Sequence, residues 1–120
     1  MTSYDSNNIF ARILRSEIPT KKIIETAHTL AFHDAFPKAP IHGLVIPKGE
    51  YINLEDFTAR ASDIEIIDFW RTCYQVIELL GLQEEGFRMI SNSGVNGRQE
   101  VPHLHIHLCG GKDLGIMLQV

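Results

Sequence analysis

Long hydrophobic runs are missing from this chain of 120 residues, which removes a membrane-spanning helix from the readings. Cysteine is scarce: Cys73 and Cys109 stand far apart without a CxxC spacing, so neither a disulfide framework nor a cysteine zinc site is expected. Each reads as a small buried apolar residue. No sign of charge dominates, with 11 Lys and Arg against 15 Asp and Glu and a net charge of −4. A general nucleic-acid surface is therefore not supported, and any phosphate must be held by local groups. Met1 to Asn8 lack a basic segment followed by an apolar one, so a cytoplasmic location is the expectation. Repeats, low-complexity stretches and linkers are missing too. What is there, 44% hydrophobic and 22% charged residues, describes one soluble domain over 1–120 that can bury its own core.

Hydrophobic spacing outlines an α+β chain, with an antiparallel sheet of about five strands and two helices packed on it. Asp5 or Ser6 is positioned to cap a first helix carrying Ile9, Phe10, Ile13 and Leu14, closed by Pro19. Lys22 to Thr26 and Thr29 to Asp34 read as a hairpin, and Pro37 and Pro40 mark a loop. The chain re-enters the sheet at Ile41, and His42 to Pro47 reads as a third strand bearing one histidine, His42. Ser62-Asp-Ile-Glu65 is a capping-box pattern opening a helix to Gly81, with Ile66, Trp70, Cys73, Ile77 and Leu80 on one stripe and Ile67, Phe69, Tyr74 and Val76 on a second face. Phe87 to Ser91 is a fourth strand, and Asn92 to Arg98 a turn-rich connection.

The densest chemistry lies in Val101-Pro-His-Leu-His-Ile-His-Leu108. Read as a strand, it puts His103, His105 and His107 on one face and Leu104, Ile106 and Leu108 on the other, with Gly110-Gly111 ending the sheet. Such a row is open to three readings. Imidazole is a common metal ligand, but same-face neighbours are about 6.6–6.8 Å apart along a strand, too far for three to close on one ion. A merely polar face is the second reading. Phosphate chemistry is the third, since imidazoles supply a nucleophile, donors and a proton source near working pH.

The run Gln99-Glu-Val-Pro-His103-Leu-His105-Ile-His107-Leu108 resembles the signature of the histidine triad superfamily. Ile9-Phe10, Glu17-Ile-Pro19, Ala31-Phe-His-Asp34, Ala39 to Lys48 and Gly110-Gly111 extend the likeness to its Hint branch, the histidine triad nucleotide-binding proteins. The resemblance implies a single domain of this type over 1–120, dimerising into a continuous sheet. It implies a purine nucleoside phosphoramidase that needs no cofactor or metal and acts on AMP- or GMP-amine compounds as its small-molecule partner, with no nucleic acid or membrane partner.

Carried over by motif position, His105 is the nucleophile, His103 and His42 orient it and relay protons, and His107 contacts the phosphate. Asp34 falls on the ribose hydroxyls, and Asn92, Arg98, Gln99 and Glu100 surround the phosphate. Ile9, Phe10, Ile13, Phe32, His33 and Ala35 surround the base. Arg98 stands where Hint proteins often carry glycine, and Glu100 where some carry serine. Dinucleoside polyphosphate hydrolysis is a rival activity, and a nucleotide-binding or scaffolding module with little catalysis is a rival of another class. Nucleotidyl transfer is disfavoured, because the transferase branch carries glutamine at the third triad position.

Overall fold

A computed structural model describes residues 3–118. Three helices and five strands run in the order α1 (Ile9–Leu14), β1 (Lys22–Glu25), β2 (Thr29–His33), β3 (Ile41–Pro47), α2 (Leu54–Arg60), α3 (Asp63–Leu79), β4 (Phe87–Ser91) and β5 (Ile106–Gly110). The strands form one sheet in the order β1-β2-β3-β5-β4, and every pairing is antiparallel. No helix among the described residues is long and apolar enough to cross a membrane.

Alternation along the strands divides the core in two. Ala31, Val45, Ile106 and Leu108 point to one face and pack with Phe57, Phe69, Cys73 and Val76 of the helices. Gly43 belongs to the same face: a β-carbon there would stand 3.2 Å from Leu80, so glycine lets α3 lie close on β3. Leu30, Phe32, Leu44 and Ile46 point the other way and pack with Phe10 of α1. His42 and His107 project from this second face, opposite Cys109 and Leu44 in the β3–β5 register.

Several boundaries differ from the sequence reading, each for a local reason. Helix α1 is capped by Asn8, whose side chain accepts from the Ala11 N–H, rather than by Asp5 or Ser6. A third helix, α2, follows Asn53, which accepts from Asp56 N–H, in a stretch where no element was expected. The Ser62–Glu65 capping box forms, but the buried side of α3 is Phe69, Thr72, Cys73 and Val76. Trp70, placed on the core stripe by spacing, is 38% exposed, whereas Phe69 is fully buried. The apolar residues on both sides of that helix left its inward direction for the sheet to choose.

The largest correction concerns the histidine row. Strand β5 begins only at Ile106 and runs through Gly110, so His103 and His105 precede it and Gly110 does not end the sheet. Pro102 has no N–H to give a ladder, His103 N–H bonds back to Val101, and Leu104 N–H bonds to Tyr51. The apolar residues nevertheless keep to one side, because Leu104, Ile106 and Leu108 all enter the helix-side core, while His103 and His105 are buried as well.

Candidate active site

A cavity of about 590 Å³ opens on the α1 side of the sheet. Its wall includes Ile9, Phe10 and Ile13 of α1, Phe32, His33, Asp34 and Ala35 from the end of β2, and Asn92, Arg98 and Glu100 from the turn before the histidines. His42, His105 and His107 complete it. Two expected members lie elsewhere. His103 is fully buried behind the cavity, and Gln99 turns away to donate to the Ile52 and Val101 carbonyls. Gln99 braces the turn instead of facing the cavity. A larger depression of about 700 Å³, by Leu82, Phe87 and Gly111, contains none of the histidines.

Hydrogen-bond partners assign a tautomer to each imidazole. His103 Nε2 lies 2.8 Å from the Pro47 carbonyl, which only accepts, so this nitrogen carries the proton and Nδ1 holds a lone pair. His105 Nδ1 lies 2.7 Å from the His103 carbonyl, so Nδ1–H donates and Nε2 is the free, unprotonated nitrogen. His42 Nδ1 accepts the Lys38 N–H at 3.0 Å, which puts its proton on Nε2. That N–H donates to His107 Nδ1 at 2.9 Å, leaving His107 protonated on Nε2. The rings of His105 and His107 stand 5.1 Å apart, and Phe10 packs edge-on to His105 at 4.8 Å.

Burial keeps these rings neutral. It pushes His103 and His107 down to about 4, and for His107 the neighbouring His105 and His42 add to the effect. Burial also lowers His42 and His105. For His105 it is opposed by the His103 carbonyl and by the charges of Asp34 and Glu100, all of which favour a positive ring. Asp34 meanwhile accepts from Phe36 N–H and sits 3.4 Å from His42 Nε2.

Asp34, His42 and His107 bring three ligand atoms within 4.8 Å of one another, close enough to consider a metal ion. The tautomers oppose it. A metal on His42 Nε2 would need the lone pair that the Lys38 contact has assigned to Nδ1, so the ring would have to lose a second proton or Lys38 its acceptor.

Arg98 has a φ of 56°, in the left-handed region that glycine adopts without strain. Its residue type is thus a departure that the backbone did not require. Tyr4, Lys38 and Pro47 were not expected at the site, yet each engages a ring nitrogen. Two of the three act through backbone atoms, which carry no side-chain signal. Tyr4 lies 99 positions from its partner.

The HIT domain family matches residues 15–114. A 13.2 kDa HIT-like protein of Azospirillum brasilense is 54% identical over 97% of this chain and 95% of its own length. The purine nucleoside phosphoramidase of Escherichia coli K12 is 36% identical, covering 92% of each chain. Among solved structures, a HIT family hydrolase from Clostridium thermocellum superposes with a TM-score of 0.85 at 36% identity, covering 96% of this chain and 99% of that one.

Proposed function

The chain belongs to the HIT domain family, and from that premise we propose that it hydrolyses nucleoside 5′-phosphoramidates, of the AMP- or GMP-amine type, through a nucleotidyl intermediate on His105. The observation that carries this reading is the 2.7 Å bond from His105 Nδ1–H to the His103 carbonyl, which commits one ring nitrogen and frees the other. Nε2 attacks phosphorus, the Nε2–P bond forms, and the P–N bond to the amine breaks. The imidazole becomes cationic as it does so. The His103 carbonyl, already aligned on Nδ1–H, stabilises that charge without reorganising, and Asp34 and Glu100 add favourable field.

Glu100 thereby acquires a use: it favours the cationic ring even though it would repel a phosphate placed against it. His107 Nε2–H is the donor for a non-bridging phosphate oxygen, held in that tautomer by His42. The amine takes a proton from water in the open cavity as it leaves. Water then cleaves the Nε2–P bond and gives one up, so the two steps together are proton-neutral and release a nucleoside monophosphate. The apolar wall of Phe10, Ile13 and Phe32 suits a flat purine, and Asp34 suits the ribose hydroxyls.

The same reading includes a homodimer in the cytoplasm. Strand β4 is a sheet edge, its Phe87 and Met89 are 41% and 39% exposed, and α3 presents Ile64, Ile67, Trp70 and Tyr74 outward. Two buried free thiols, Cys73 and Cys109, suit a reducing compartment. Met89→Glu is expected to convert a dimer into a monomer in sedimentation velocity.

The decisive test is rapid quenching during turnover of an adenosine phosphoramidate, followed by peptide mass spectrometry under alkaline conditions. An adenylate on the His105 peptide is expected, and an adduct on another residue would sink the assignment. Dinucleoside polyphosphate assayed beside it should turn over more slowly.

A further inference from the structure

We propose that Tyr4 is a positioning residue for the histidine row: its hydroxyl, 2.6 Å from His103 Nδ1, clamps the first imidazole and, through it, the carbonyl that orients His105. The proposal rests on the reading of His105 as the nucleophile.

Directionality follows from the partners. His103 Nε2–H is committed to the Pro47 carbonyl, so Nδ1 can only accept, and the Tyr4 hydroxyl must donate to it. Asn8 Nδ2 donates to the Tyr4 oxygen at 2.9 Å, which occupies a lone pair there and leaves the hydroxyl hydrogen for His103. The resulting chain runs Asn8 to Tyr4 to His103 to Pro47, with no ambiguous member. The Tyr4 ring also packs edge-on against His103, at 5.7 Å and 69°.

His103 is fully buried, so an unpaired Nδ1 would carry the full cost of a desolvated acceptor. Held at both nitrogens, the ring cannot turn about its bond to the chain, and the residue's carbonyl stays in line with His105 Nδ1–H. Asn8 caps α1, which carries Phe10 against the His105 ring. The segment before α1 therefore reaches the nucleophile by two routes, one through Tyr4 and His103 and one through Phe10.

The test uses Tyr4→Phe, which keeps the ring packing and removes the hydroxyl. With an adenosine phosphoramidate as substrate, kcat is expected to fall about 10- to 100-fold, as for a small misplacement of a reacting group. KM should change by less than about twofold, since the hydroxyl does not face the cavity. The ¹⁵N resonance of His103 Nδ1 should move toward that of a free acceptor, which reports loss of the hydrogen bond, and the fall in kcat at nearly constant KM is the change that a purely structural role would not produce. An unmoved His103 resonance overturns the proposal, whatever happens to the rate. So does a moved resonance with kcat unchanged. If the unsubstituted protein itself does not turn over the phosphoramidate, the reading of His105 fails, and the His103 resonance alone then decides the clamp.

Discussion

The two faces of the sheet come from the same strands and obey different rules. On β3, Gly43 and Val45 turn to α3 and are judged by volume, while His42 turns to the cavity and is judged by which nitrogen holds a proton. The helix-side face is closed by Phe57, Phe69 and Val76, all fully buried. The other face is only partly covered by the six-residue α1, and the space left beside it is the cavity. One face is a filled volume, and the other is a set of committed hydrogen bonds.

Breaking the chemical face should give the largest effect. His105→Ala is expected to lower turnover of an adenosine phosphoramidate at least about 10³-fold, the effect of removing the proposed nucleophile. Nucleoside monophosphate binding should persist, and undiminished turnover would refute the role of this ring. Breaking the packed face should do the reverse. Phe69→Ala is expected to cost about 3–5 kcal/mol in denaturant unfolding, with the activity of the folded fraction retained. A site collapse in that variant would show the two faces to be coupled.

A smaller effect is expected at the polar link between α3 and the β1–β2 hairpin. Asp68 accepts from the hydroxyls of Thr26 and Thr29 and from His28 N–H, and Thr29 is fully buried. Asp68→Ala should cost about 1–3 kcal/mol by leaving buried donors without an acceptor. Burial raises the Asp68 carboxyl, but those hydrogen bonds outweigh it and hold the group below its usual range. A depressed carboxyl stabilises the fold above its unfolded value and loses that contribution as pH falls through the folded one. The deficit of the variant should therefore shrink on acidification below about 4.

The mildest perturbation is pH itself. Burial lowers all four site histidines, two of them to about 4, so the unfolded chain binds more protons than the folded one between that value and the ordinary 6.5. Stability should rise with pH across that window and fall as acid is added. With the proposed attack by a neutral His105 ring, the acidic limb of kcat/KM should lie below 6.5. A limb above 6.5 would mean that the charges of Asp34 and Glu100 overcome burial.

Much of this molecule is legible from local pattern. Phe87–Ser91 and the Ser62–Glu65 capping box are where alternation and a four-residue motif put them. Local pattern was poorer where two elements compete for one residue. The turn of α3 depended on the sheet beneath it, which is why Phe69 and Trp70 exchanged places between core and surface. The histidine row misled because period-2 alternation of imidazole and apolar side chains was taken for strand pairing. Leu104 is buried on schedule, but its N–H bonds to Tyr51, outside the ladder.

The sequence by itself determined which side chains could do chemistry and which strand positions would turn inward, since residue type and period-2 spacing are properties of the chain. It identified three alternating imidazoles, a fourth on another strand, and a glycine-bearing turn between β4 and the row. Only the tertiary structure decided the state of each ring. Proton placement on an imidazole depends on what faces its two nitrogens, and most of those partners are distant: Tyr4 and Pro47 for His103, and His42 for His107. A free lone pair at His105 Nε2 is thus a product of the fold, carried by a motif that could be read without it.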